Sequence, residues 1–351
     1  MNRVGIITFL HNGNYGSSLQ AYALQTVVRN MGYECFHFNY CPDIREKIQN
    51  MIRCGNHPKL LLEGKKKKTV QEEQEGMRKK LQRIEDFYDR RMQLSPVCRN
   101  QKELAEVSRN LEVMLCGSDQ IWNPVWLNPA YLLSFGNPEQ PRIAYAASLG
   151  ISAMPSRRKQ KIFRRRLSLF DAVSVREEEG ARILVSITGN RPPVMPDPVC
   201  LLERQEWDQI SVPYTSEHPY LLCYFIGENP EYWERVQNLC EKKGLEAVVI
   251  PVTAEGYRQK QYKLLDGAGP EEFLGAVAGA SMLCTDSFHG LAFGTIFEKQ
   301  VDLIRRYRDD NPESKNSRVD HFLREIRQKG IPNMRREGLE WLAEQLIAQN
   351  K

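Results

Sequence analysis

RVGIITF (residues 3–9), LHNGNYGSS (10–18), LQAYALQTVVRNMG (19–32) and YECFHFNY (33–40) follow one another without a break. The first is a short apolar run closed by turn residues, which reads as a buried strand. In the third, Leu19, Ala23, Val27 and Met31 recur at helical spacing and Gly32 ends the pattern, so it reads as a helix. The fourth is a second strand. Strand, helix and strand in this order form a β-α-β unit. Its crossover is right-handed, its strands are parallel, and loop 10–18 lies at the carboxyl edge of the first strand.

The alternation continues along the chain. LEVMLCGSD (111–119) and RIAYAASLG (142–150) are strands running into loops, and AVSVREEEGARIL (172–184) is a strand turning into a helix whose acidic first turn suits the helix dipole. A proline-rich stretch at 192–198 and a polar joint near SVPYTSEHPY (211–220) precede a second series of strands and helices, from YLLCYFI (220–226) to KQVDLI (299–304). The pattern predicts an α/β chain of two open layers, residues 1–205 and 206–351, whose carboxyl-edge loops face each other across a ligand-binding cleft. Residues 59–94, polar and charged with few aromatics, read as an exposed helical insertion in the first domain that carries little core.

With 351 residues, 41% of them hydrophobic and 26% charged, the chain has ordinary globular composition and the length of two domains. No run approaches the roughly 18 to 20 apolar residues of a membrane helix, and VGIITFL breaks at His11 with no small-residue cleavage site. Neither a spanning helix nor a secretory signal is expected. Nine cysteines, none in a CxxC pair and most inside apolar runs, fit a reducing compartment and a cytoplasmic chain. Cys35, His37 and Cys41 are the tightest group of metal-binding types, but they lie in the alternating run YECFHFNYC with no second pair nearby. Core packing is their expected role, and nothing calls for a metal.

The net charge of +5 is unevenly spread: residues 157–166, RRKQKIFRRR, carry seven basic residues and no acid. No helix-turn-helix, zinc-finger or RNA-binding pattern accompanies the charge, which argues against nucleic acid. The run reads either as a solvated helix face or as a peripheral contact with an anionic membrane at its inner face.

Four carboxyl-edge segments could carry chemistry. Loop 10–18, with Asn14, Tyr15 and Gly16, offers free amides to an anion or to sugar hydroxyls, or is simply a polar turn; it lacks the dinucleotide and Walker glycine spacings. GSDQIWNP (117–124) sets Ser118, Asp119 and Gln120 at a strand end, with Trp122 as a platform on which a sugar ring would stack; Asp119 could equally be a helix cap. Arg176 ends the strand AVSV and offers a planar fork for carboxylate or phosphate, or bridges its own acidic neighbours Glu177, Glu178 and Glu179. In TDSFHGLAFG (285–294), Ser287 can cap a helix whose first turn holds His289, a proton-exchanging group at a positive helix end, or a structural one.

Taken together, VGIITF and NYGSSLQAYALQ, GSDQIWNP, YAASLG, SVRE, MPDPVCLL, TDSFHGLAFG and KNSRVDHFL, in this order over roughly residues 3–325, resemble the polysaccharide pyruvyl transferase family. The resemblance implies two Rossmann-like domains in a GT-B-like arrangement. It also implies transfer of a pyruvyl group from phosphoenolpyruvate, the donor substrate with no further cofactor, to hydroxyls of a cell-surface glycan or its lipid-linked precursor, forming a ketal. Carried over, Arg176 and His289, with Ser287 and Gly290 beside it, contact the donor. His289 would serve as acid or phosphate clamp and Asp119 as acceptor of the hydroxyl proton, while Asn14, Tyr15, Gly16, Ser118, Asp119, Gln120 and Trp122 would face the acceptor. Some members carry an arginine where this chain has Ser287, which leaves a second cation for the donor to be found, with Lys299, Arg305 and Arg306 just downstream. Fold alone does not separate this reading from a GT-B glycosyltransferase using a nucleotide sugar or from a catalytically weak glycan-binding protein.

Overall fold

The computed structural model describes residues 2–58, 71–306 and 316–349. Strands β1 (Arg3–Ile7), β2 (Glu34–His37), β3 (Val113–Cys116), β4 (Arg142–Ala147) and β5 (Ala172–Val175) form a parallel sheet in the order β2-β1-β3-β4-β5. Strands β6 (Tyr220–Tyr224), β7 (Glu246–Val249), β8 (Lys263–Leu264), β9 (Met282–Thr285) and β10 (Gln300–Leu303) form a second, in the order β10-β9-β6-β7-β8. The helices of the first half are α1 (Tyr15–Asn30), α2 (Ile44–Cys54), α3 (Gln71–Arg91), α4 (Gln101–Ser108), α5 (Arg157–Leu167), α6 (Glu178–Thr188) and α7 (Arg204–Ile210). Those of the second are α8 (Glu231–Lys243), α9 (Ala254–Arg258), α10 (Pro270–Gly279), α11 (Phe288–Ile296), α12 (Asn316–Gln328) and α13 (Gly330–Ala348).

The chain is α/β, with two Rossmann-like layers facing across a cleft. Every residue of β3, β4, β6 and β9 is buried, as parallel strands covered by helices on both faces must be. Winding changes direction between β1 and β3 in one sheet and between β6 and β9 in the other, and carboxyl-end crevices at such switch points are where open α/β sheets take ligands.

Local chemistry explains where the elements depart from their apolar patterns. α1 begins at Tyr15, not Leu19, because the Asn14 carboxamide accepts the Gly16 N–H at 2.8 Å and caps the helix. Residues of the expected insertion behave differently from the reading. Its 59–70 portion lies outside the described residues, but α3 is no exposed appendage: Ile84, Phe87 and Tyr88 are buried. Arg83 Nη1 donates to the Gly267 carbonyl at 3.0 Å, and Arg90 and Arg91 meet buried Glu271 at 2.6 and 2.9 Å. α3 is thus a strut from the first layer to the start of α10, its apolar face masked in the sequence by surrounding charge.

One core cluster runs through both layers, from Val4, Leu19 and Tyr145 to Leu222, Phe273 and Phe293. At the joint, Tyr15 stacks on Phe273 with ring centroids 5.1 Å apart and donates its hydroxyl to the Ala268 carbonyl at 2.8 Å. α13 returns to the first sheet, where Trp341 packs on Tyr145. The His37 ring donates Nε2–H to the Ala21 carbonyl at 2.9 Å, and the Cys35 thiol donates to Gln25, so both are packed in the core. All nine cysteines are free thiols. Among the described residues no helix is long and apolar enough to cross a membrane.

Candidate active site

β1 and β9 each end in a loop that opens a helix, and the first turns of α1 and α11 meet in the cleft. Gly16 lies so near the His289 ring that a Cβ at that position would run into it; the close approach is what requires glycine. Ser287 caps α11, its hydroxyl accepting the Gly290 N–H at 3.3 Å. His289 is 7% exposed, and its Nε2 has no hydrogen-bond partner among the described residues. That nitrogen lies 3.6 Å from Asp197 Oδ2, too far for a hydrogen bond.

Arg176 emerges from the carboxyl end of β5. Segment 192–198 runs beside that end, with the Val175 N–H donating to Pro193 at 3.0 Å and the Met195 N–H donating to Val175 at 2.8 Å. Asp197 is thereby set against the guanidinium and accepts from Arg176 Nη1. Phe288, one residue before His289, lies under the guanidinium at 4.7 Å. Of its own acidic neighbours, Glu177 makes a long bridge to it, while Glu178 pairs with Arg191 and Glu179 with Arg182. Glu177 Oε1 takes Ser148 Oγ and the N–H groups of Leu149 and Gly150 at 3.0, 2.9 and 3.1 Å, leaving Oε2 3.9 Å from Arg176 Nε.

A second arginine completes the group. Arg318, on α12, is 9% exposed and lines a narrow crevice with Arg176, Asp197 and Phe288. Burial lowers its pKa to about 10, Arg176 adding to the effect and Glu177 and Asp119 opposing it; at neutral pH it stays charged. Burial also works against the Arg176 charge, but Asp197, Asp119 and Glu177 outweigh it and raise that pKa. For Asp197, burial pushes the carboxyl up, and the Arg176 charge with His289 nearby brings it down to about 2. The result is a buried cluster in which Arg176 Nε and Nη2, Arg318 Nε and His289 Nε2 lack hydrogen-bond partners among the described residues. Orphaned donors of this kind are what an anion satisfies.

Asp119 lies across from this group. Its backbone is left-handed, at φ 63°, and its carboxylate accepts Ser17 Oγ at 2.5 Å and the Gln120 N–H at 2.8 Å. Asn14 and Gln120 are partly exposed. Three acceptor candidates are corrected. Trp122 is fully buried among Phe163 and Phe170 and donates Nε1–H to the Tyr131 carbonyl, so no sugar ring can stack on it. Tyr15 is the interlayer pillar already described, and Ser118 is fully buried with its hydroxyl given to Ala146. Of the downstream cations, Arg305 pairs with Asp320 and Arg306 Nε donates to Asp286, while the Lys299 charge is disfavoured by burial and by Arg204 and favoured by Asp208. Asp197 and Arg318 were the residues that sequence reasoning missed. Both lie inside quoted motifs, but neither has a spacing that announces its partner.

Fold and site together define a two-layer α/β protein of GT-B-like architecture with a buried cluster of two arginines, a histidine and an aspartate at the junction of its two carboxyl edges. The family model for polysaccharide pyruvyl transferases matches residues 14–301. The chain belongs to the polysaccharide pyruvyl transferase family, whose members are transferases acting on polysaccharides. No curated protein matches the sequence. Among solved structures it is similar to the UDP-GlcNAc 2-epimerase of Neisseria meningitidis bound to UDP-GlcNAc, with 11% identity and a TM-score of 0.51 over 99% of this chain and 100% of that one. It is also similar to the UDP-N-acetylglucosamine 2-epimerase of Rickettsia bellii, with 9% identity and a TM-score of 0.51 over 99% and 96%. These likenesses concern the fold alone.

Proposed function

We propose that the chain transfers the pyruvyl group of phosphoenolpyruvate to two hydroxyls of a sugar in a cell-surface polysaccharide or its lipid-linked precursor, forming a ketal and releasing phosphate. The observation that carries this is the pair of buried arginines, Arg176 and Arg318, which line one crevice with Asp197 and Phe288 and keep guanidinium nitrogens without hydrogen-bond partners among the described residues, His289 Nε2 lying 3.6 Å from the same Asp197. A donor with a carboxylate and a phosphate needs two cationic contacts, and Arg318 supplies the cation that Ser287 does not.

In the reaction, the methylene carbon gains a proton and one sugar oxygen bonds to the adjacent carbon. Phosphate then leaves and the second oxygen takes its place. Of the two hydroxyl protons, one balances the new methyl group and the other leaves with phosphate. In this reading His289, whose Nε2 lies 3.6 Å from Asp197, holds or protonates the donor, and Asp119, which accepts from Ser17, draws a proton from the attacking hydroxyl. A cytoplasmic location goes with this reading, since nine free thiols belong to a reducing compartment. The test is a thermal shift on the purified chain. Phosphoenolpyruvate should raise the melting temperature and UDP should not, because only a ligand of the native state stabilises it; the reverse result would replace the pyruvyl donor with a nucleotide sugar.

A further inference from the structure

α2 is amphipathic in the wrong sense for a helix on a soluble domain. The side facing the protein carries Glu46, Asn50 and Cys54, all buried, with the Glu46 carboxylate accepting from Asn50 at 3.0 Å and Gln101 at 3.2 Å. The opposite side carries Ile44, Ile48 and Ile52 at four-residue spacing, 61%, 39% and 62% exposed. The neighbouring helix α5 buries Phe163 and Leu167 and turns Arg157, Lys161 and Arg165, also four apart, to solvent. The two helices are tied together, since Arg158 Nη2 donates to the carbonyls of Ile52 and Arg53.

An aliphatic row beside a cationic row is the pattern of a protein face that lies on a charged lipid surface, methyl groups between the headgroups and arginines against their phosphates. We propose that the α2–α5 face docks on an anionic bilayer. A second copy of the chain is the weaker occupant, because a two-fold contact would set the same uncompensated cationic row close to itself. The basic run of α5 alone would give only a screened attraction; the isoleucines add the apolar insertion that makes binding persist in salt.

Co-sedimentation with phosphatidylglycerol-containing vesicles and with phosphatidylcholine alone decides it. The chain should bind the first and not the second. Ile44→Ser/Ile48→Ser/Ile52→Ser and Arg157→Glu/Lys161→Glu/Arg165→Glu should each lower binding by about tenfold or more, with unchanged melting curves because all six side chains point away from the core. Absence of binding to either vesicle, equal binding to both, or full binding by both variants would overturn the proposal. So would a wild-type dimer in light scattering that the isoleucine variant abolishes. None of these readouts depends on phosphoenolpyruvate, so the membrane face and the donor site can fail separately.

Discussion

Arg176 keeps its charge in a buried place because Asp197 sits against one nitrogen, and the two nitrogens left over are what a bound anion would meet. Arg176→Lys preserves the charge but not the fork, and a compact ammonium drawn to Asp197 cannot also make the planar two-pronged contact to the donor. The half-saturating phosphoenolpyruvate concentration should rise by about tenfold or more; unchanged donor kinetics would remove Arg176 from the site. His289→Asn should keep the fold and lower turnover by about 100-fold if the ring moves a proton, whereas a few-fold loss would leave it a helix-end residue only. His37 gives a different prediction. Burial lowers its pKa from 6.5 to about 4, with the Ala21 hydrogen bond opposing. Between those values the unfolded chain binds a proton that the folded chain refuses, so stability is full above pH 6.5 and falls as pH drops toward 4. The loss should reach roughly 2–3 kcal/mol, and urea titrations of His37→Gln should show a shallower slope across that window.

The contact between α1 and α11 exists because Gly16 has no side chain. Gly16→Ala would push a methyl group into the His289 ring. The ring is 7% exposed and hemmed in by Phe288 and Asp197, so the displacement should cost about 1–3 kcal/mol of stability and take turnover down with it. Wild-type melting and turnover in that variant would mean that the two helix starts can part freely. Elements of this kind were readable where a local rule governs them. Each strand that borders the cleft showed as an apolar run, and α11 showed by its capping serine. The true start of α1 was hidden because Asn14, not hydrophobic spacing, sets it. α3 was misread because Ile84, Phe87 and Tyr88 form a narrow apolar stripe in a helix otherwise full of charge. The exposed isoleucine row of α2 could not be recognised without knowing which side faces inward.

Over the whole molecule, the candidate site draws on Asp119, Arg176, Asp197, His289 and Arg318, which only the tertiary fold brings together. Arg176 and His289 were legible because each ends or follows a strand at a carboxyl edge, where open α/β sheets hold ligands. Asp197 owes its place to the strand-like contact of 193–195 with β5, and Arg318 to the return of α12 over the cleft, and neither is a local property. That same return, with α3 and the aromatic joint of Tyr15, Trp207, Phe273 and Phe293, joins the layers through a continuous apolar core. Domains that merely abut through a small polar interface unfold one at a time. Here, parting the layers would expose those four large aromatic residues to water, which couples the folding of one layer to that of the other. Calorimetry should therefore give one transition with matching calorimetric and van't Hoff enthalpies, and phosphoenolpyruvate should move all of it upward rather than one part. Two resolved transitions, only one of them shifted by the donor, would show that the layers fold independently and that the site belongs to one of them.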